Sequence, residues 1–255
     1  IEEECHRLGY EMVISHVDQR NPNYQKQVRD LLEEQGVGII LLGTEMMDGD
    51  LSLYRNASCP VLLLDHWTES MDFNSVLINN ADAARAITEH LLDNGHREVG
   101  YLRGNYRIKA FRSRFIGFQT ALKKYKVPYK EEYTVTVGTY MSTACQDMLE
   151  YLKKKPKLPT AFFADNDIIA LGAMKALQEM GYRIPEDISI VGFDDLTFSE
   201  ISSPPLTTLR VEKREMGKMA VRRLVELIDG IGTSTVTKIQ VCPKIIYRNT
   251  VKNIK

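Results

Sequence analysis

Apolar runs alternate with amphipathic stretches along the whole chain. Residues 11–15, 37–42, 61–64, 76–78, 99–102, 134–137, 160–164 and 188–192 read as strands. Several are apolar at every position, the pattern of strands covered by helices on both faces. The stretches between them carry apolar residues at helical spacing. Tyr24, Val28, Leu31 and Leu32 follow an Asn21-Pro22 start signal. Ala84, Ile87 and Leu91 follow Asn80, which is expected to cap their helix, and Gly95 closes it. Phe115, Phe118, Leu122 and Tyr125 form a third stripe, and Met141, Cys145, Met148 and Leu152 a fourth. Ile169, Ala173, Ala176, Leu177 and Met180 precede Gly181, and Met216, Met219, Ala220, Leu224 and Leu227 precede Gly230. Alternating strands and helices predict an α/β fold with parallel sheets. Single cores stop growing near this length, which favours two lobes over one wide sheet. Ile1, Cys5 and Leu8 share a helical face with no start signal before it, so the expectation is that further residues precede Ile1.

In open parallel sheets, ligands bind beyond the carboxyl ends of the strands. The residues just past the expected strands are Thr44, Asp65-His66-Trp67, Asn79-Asn80, Arg103, Thr139-Tyr140, Asp165-Asn166-Asp167 and Asp194-Asp195. Carboxylates, amides, an arginine and aromatics suit a hydroxyl-rich small molecule, which needs directed hydrogen bonds and an apolar face for its ring. Helix capping explains any one Asp or Asn here equally well; only the collective bias points to a ligand. Arg114 stands apart, one turn before Gly117 on its helix, because a guanidinium can fork onto two ligand oxygens.

Composition narrows the classes. The 255 residues are 44% hydrophobic and 26% charged, with a formal net charge of −1. That balance argues against a chain that binds polyanions over its whole surface. No apolar run approaches the ~20 residues of a membrane span, so no membrane partner is expected. Cys5, Cys59, Cys145 and Cys242 are scattered, as free thiols in a reducing, cytoplasmic setting would be. No dinucleotide fingerprint, P-loop or nucleophile elbow occurs, and the five histidines lack metal spacing. No cofactor, metal or catalytic residue is expected. The basic stretch with Arg107, Lys109, Arg112, Lys123, Lys124 and Lys126 spreads around its helix and reads as a solvated face.

Longer motifs carry a resemblance. AFFADNDIIALGAMKAL from Ala161, IPEDISIVGFDD from Ile184, PPLTTLR from Pro204, HLLDNGHREVGYLRG from His90 and the R-x-x-G-F at Arg114 resemble the LacI/GalR family of bacterial transcription repressors. The resemblance implies a periplasmic binding protein-like type I fold: two Rossmann-like lobes with parallel sheets, joined by three crossovers, with effector held between them. The expected division is 1–79 with 210–237 and 80–209 with 238–255. It further implies a homodimer, a sugar-like effector, and operator DNA bound through a helix-turn-helix upstream of Ile1. By family position, Asp65 is a cleft-facing acid, Arg114 the arginine that grips the ligand, Tyr140 a stacking aromatic, Asn166 the amide of the N-D pair and Asp194 the first acid of G-F-D-D. Trp67 and Phe73 are placed to add ring stacking. Asn79 stands where many members carry Asp, so a charge is lost there, and Val211 and Lys213 also depart from the usual contacts. A periplasmic sugar-binding protein of a transporter shares this fold and is the alternative; a sugar or nucleotide enzyme is the third class.

Overall fold

The strands and helices sort into two lobes. The computed structural model describes residues 1–34, 36–46, 48–106, 108–231 and 235–255. Arg107 lies outside the described residues. In chain order the elements are α1 (Glu2–Arg7), α2 (Tyr24–Glu33), β1 (Ile39–Leu42), β2 (Val61–Leu64), β3 (Asn74–Ile78), α3 (Asn80–Asp93) and β4 (Val99–Gly104). Next come α4 (Lys109–Lys124), β5 (Thr134–Val137), α5 (Met141–Lys153), β6 (Ala161–Ala164), α6 (Asp167–Glu179) and β7 (Ser189–Val191). The last are α7 (Thr197–Ile201), β8 (Thr208–Arg210), α8 (Lys213–Ile228), β9 (Lys238–Val241) and β10 (Lys244–Ile246).

The first lobe comprises Ile1–Ile78 and Glu212–Val241. Its parallel sheet runs β1-β2-β3-β9. Leu62, Leu63 and Val76 of the sheet are fully buried, as are Val28 of α2 and Ala220 of α8. Buried Glu4 of α1 accepts from Arg7 within its helix and from Arg222 of α8 at 2.6 Å, which ties the two helices together.

The second lobe comprises Asn79–Val211 and Cys242–Lys255. Its parallel sheet runs β5-β4-β6-β7, and β8 and β10 form an antiparallel ribbon. β6 is buried at every residue, the sign of a strand covered on both faces. The chain passes from lobe to lobe three times, after Ile78, Val211 and Val241.

Three expectations are corrected. Residues 11–15 form no strand: Val13 and Ile14 are 83% and 81% exposed, and no strand of the sheet pairs with them. A strand needs a neighbouring edge for its backbone hydrogen bonds, which an apolar pattern alone cannot supply. Residues 238–241, expected with the second lobe, are β9 of the first, where Ser75–Ile78 pair with them in parallel. The cap of α3 is Asn79, not Asn80: its side-chain oxygen accepts from the Asp82 amide.

Candidate functional site

Arg114 is the centre of the polar face on the second lobe. It lies in the second turn of α4 and is only 4% exposed. A glycine explains its position: a Cβ on Gly117 would collide with the Ala81 carbonyl, the Ala84 methyl and the Arg85 amide of α3. α4 therefore rides against the first turns of α3, and Arg114, one turn earlier, meets Asn80. Arg114 Nε donates to Asn80 Oδ1 at 2.8 Å, Nη1 to the Asp165 carbonyl at 2.5 Å and Nη2 to Asp194 Oδ1 at 3.3 Å. The guanidinium carbon lies 3.6 Å from the centre of the Phe193 ring. Three of its five N–H groups are thus used; the other two, one on each Nη, have no partner among the described residues.

Asp194 and Asp195 follow β7 in unusual backbone: φ is 106° at Asp194 and 47° at Asp195. Side-chain residues adopt such angles only when their surroundings enforce them. The Asp194 amide donates to the Leu209 carbonyl at 2.8 Å. Asp195 is clasped by Arg210 at 2.6 Å and Arg248 at 2.8 Å. Burial opposes the charge of Asp195, but the two arginines outweigh it and hold the carboxyl below its ordinary range. Asp167 secures the same loop from α6, accepting from the Leu196 amide at 2.8 Å, Ser199 Oγ at 2.6 Å and Thr208 Oγ1. Gly192 leaves room for that carboxylate, which a Cβ would strike. Burial pushes Asp167 up to about 6, against these three donors.

Asn166 caps α6, accepting from the Ile169 amide at 2.9 Å. Its Nδ2 makes no hydrogen bond among the described residues, so capping and ligand contact are compatible in one side chain. Tyr140 is 75% exposed at the start of α5, with its carbonyl, not its ring, engaged by the helix. The structure thus brings Arg114 and Asp194 into contact and places Asn166 and Tyr140 at the helix starts that follow β6 and β5. Asn79 differs: its oxygen caps α3, and its Nδ2 donates to Asp82 Oδ2 at 2.9 Å. The amide that touches Arg114 is its neighbour, Asn80.

In the first lobe, Asp65 follows β2 with φ 54° and accepts from Thr44 Oγ1 at 2.8 Å. Next to it, buried His66 has Nδ1 2.7 Å from the Gly43 carbonyl, which fixes the turn between the two strand ends. Trp67 is 45% exposed, with Lys238 Nζ 5.9 Å from its ring centre. Phe73, expected to stack on a ligand, is instead 4% exposed in a core cluster with Val28, Leu51 and Leu63. It precedes β3 where the chain enters the sheet, and an aromatic there is held by apolar packing. Among the described residues, no group of three His, Cys, Asp or Glu could hold a metal ion.

Sequence reasoning missed the roles of Asp165 and Asp167 on either side of Asn166. Nothing in the sequence separates them from the asparagine; the structure does, since both aspartates are fully buried and the asparagine is not.

Comparison with known proteins gives a consistent answer. Residues 88–251 match the model of the periplasmic binding protein-like domain. The chain is 32% identical over 256 residues to the HTH-type transcriptional repressor PurR of Mannheimia succiniciproducens, covering all of this chain and 76% of that protein. A chain described as transcriptional regulator LacI from Bacillus cereus subsp. cytotoxis superimposes with a TM-score of 0.87 at 27% identity, over 99% of this chain and 89% of that one. A LacI family transcriptional regulator from Enterococcus faecium with bound ribose has the same fold, with a TM-score of 0.85 at 21% identity over 100% of this chain and 92% of that one. The first two of these relatives bear the names of transcriptional regulators. Among the described residues, no helix is long and apolar enough to cross a membrane.

Proposed function

This chain belongs to the LacI/GalR family of transcriptional regulators and forms their periplasmic binding protein-like effector domain, and from that premise we propose that the Arg114 face of the second lobe binds a small polyhydroxylated effector. One observation carries this reading. Arg114 is buried and oriented by Asn80, Asp165 and Asp194, yet keeps two N–H groups without a partner among the described residues. Such a guanidinium, with a carboxylate 3.3 Å away, offers paired donors and acceptors to adjacent hydroxyls. Asn166 Nδ2 adds a donor, and the exposed ring of Tyr140 suits the apolar face of a sugar. Asn79 and Phe73 are omitted, because one caps α3 and the other fills a core.

The domain does no chemistry on its effector. The ligand's different affinity for two conformations shifts their balance, and a coupling of roughly 1–3 kcal/mol changes operator affinity about 5–150-fold. We take the working form to be a homodimer, for which Phe198 and Ile201, 57% and 72% exposed one turn apart on α7, offer an apolar contact, and the repressor relatives suggest a cytoplasmic setting. The repressor relatives weigh against the transporter alternative. A thermal-shift screen against neutral sugars, sugar phosphates and nucleobases tests the proposal. Binding to the folded state raises its stability by about 2.7 kcal/mol at a ligand concentration of 100 Kd. The expected result is a raised Tm with sugars; a flat response to the whole panel would overturn it.

A further inference from the structure

Asp165 carries a carboxyl group for which effector binding has no direct use, and its setting is particular. It follows β6, and its amide donates to the Leu102 carbonyl at 3.0 Å, extending the β4–β6 pairing by one rung. The carboxyl then turns onto β4: Oδ2 accepts from the Gly104 amide at 2.8 Å, and Oδ1 accepts from the Tyr101 hydroxyl. Asp165 and Tyr101 are both fully buried. The carbonyl of the same residue receives Arg114 Nη1 at 2.5 Å. One residue therefore fixes the end of β4 with its side chain and the guanidinium with its main chain.

We infer that Asp165 is a positioning residue for Arg114, and that taking up or losing one proton on its carboxyl resets the guanidinium between two states. The inference rests on the reading of Arg114 as the effector's arginine, but its test needs no effector.

In the ionised state both carboxyl oxygens accept, one from the Tyr101 hydroxyl and the other from the Gly104 amide. The Gly104 amide can only donate, so an added proton must sit on Oδ1, opposite Tyr101. Tyr101 must then accept from Asp165 instead of donating to it, and its own hydrogen leaves the position it holds now. At the same moment Arg114 loses one of its two nearby negative charges and keeps only Asp194. The charged and titratable groups around the carboxyl are Tyr101 and Arg103 of β4 and Arg114 of α4, with Asp194 acting through Arg114. Burial favours the neutral acid, while Tyr101, the Gly104 amide and the two arginines favour the carboxylate. These opposed effects leave Asp165 at about 7, so both states are populated near neutral pH. With Asp165 ionised, Arg114 faces two acids and the site suits an uncharged ligand. With it protonated, the same site carries one negative charge fewer and accepts an anionic ligand more readily.

Side-chain NMR of the full chain, grown with isotope-labelled arginine, tests the inference directly. The Arg114 Nε–H signal is identified by its loss in Arg114→Lys. In the wild type it should shift with pH in one step with a midpoint at about 7. Asp165→Asn, which keeps the shape and the carbonyl, should abolish the step. Tyr101→Phe removes a donor to the carboxylate and should move the midpoint upward; this variant decides the matter if Asp165→Asn does not fold. A wild-type signal without a step across neutral pH, a step that survives in Asp165→Asn, or an unmoved midpoint in Tyr101→Phe would each overturn it. A merely structural Asp165 would stabilise the fold without giving Arg114 a titration of its own.

Discussion

Gly117 of α4 lies so close to the carbonyl of Ala81 in α3 that no side chain fits between the two helices. That approach is the mechanical basis of the proposed effector site, because it delivers Arg114 to Asn80. The central glycine of the R-x-x-G-F motif is therefore needed for space rather than for backbone freedom; its helical neighbours hold ordinary angles.

Replacing Gly117 by Ala forces the two helices apart. Overpacking of a tight contact costs about 1–3 kcal/mol, and here the displacement also lengthens the Arg114–Asn80 bond. A lowered denaturation midpoint together with weakened effector binding is expected. Unchanged stability and unchanged binding in Gly117→Ala would show that α4 and α3 have slack between them.

Phe73 and Tyr140 make a paired test, since both were read as stacking aromatics and only one is exposed. Phe73→Ala should cost about 3–5 kcal/mol, as truncations of buried aromatics do. Tyr140→Ala should change stability by no more than about 0.5 kcal/mol while weakening the binding of any sugar that raises the Tm of the wild type. Denaturant unfolding and calorimetric titration of the two variants separate the roles, and the reverse assignment of losses would refute them.

Asp167 gives a stability effect with a definite sign. Its folded carboxyl sits at about 6, above the ordinary aspartate value, so the folded protein holds the proton more tightly than the unfolded chain does. The stability it contributes is fully present below about pH 4 and is lost as pH rises through about 6. Asp167→Asn has no such proton, and it keeps only one acceptor oxygen for the donors Leu196, Ser199 and Thr208. The variant should be the less stable protein at acid pH, and the gap should narrow as pH rises. Unfolding midpoints measured across that window check it; a gap that widens toward neutral pH would contradict the assignment.

Much of this was legible in the sequence because periodicity reports burial. The fully apolar run at Val61–Leu64 could only be a strand covered on both faces, and β2 has those bounds. Residues 11–15 have a comparable pattern and no strand, because pairing depends on a neighbour that composition does not reveal. β9 escaped notice for a related reason: KIQV is short and half polar, and its place beside β3 is set by where the chain crosses between lobes. At the site, residue type singled out Arg114, and the family resemblance added Asp194 and Asn166 as expected contacts. The exchange between Asn79 and Asn80 could not be foreseen, because two adjacent asparagines differ only in which one turns back onto the helix. The importance of Asp165 was hidden as well, since its function depends on Tyr101, a partner 64 positions away in sequence.

The central claim is that Arg114 is the residue that grips the effector. The chain has one tryptophan, Trp67, which is half-exposed and serves as an intrinsic fluorescent reporter beside direct calorimetry. The decisive measurement is the calorimetric affinity of wild type and Arg114→Lys for the sugar that gives the largest thermal shift. Lysine keeps the charge but cannot hold Asn80, the Asp165 carbonyl and Asp194 while donating a pair of bonds to the ligand. The account predicts at least about tenfold weaker binding in the variant, equivalent to roughly 1.4 kcal/mol, with the fold intact. Equal affinity in a folded Arg114→Lys protein would contradict it.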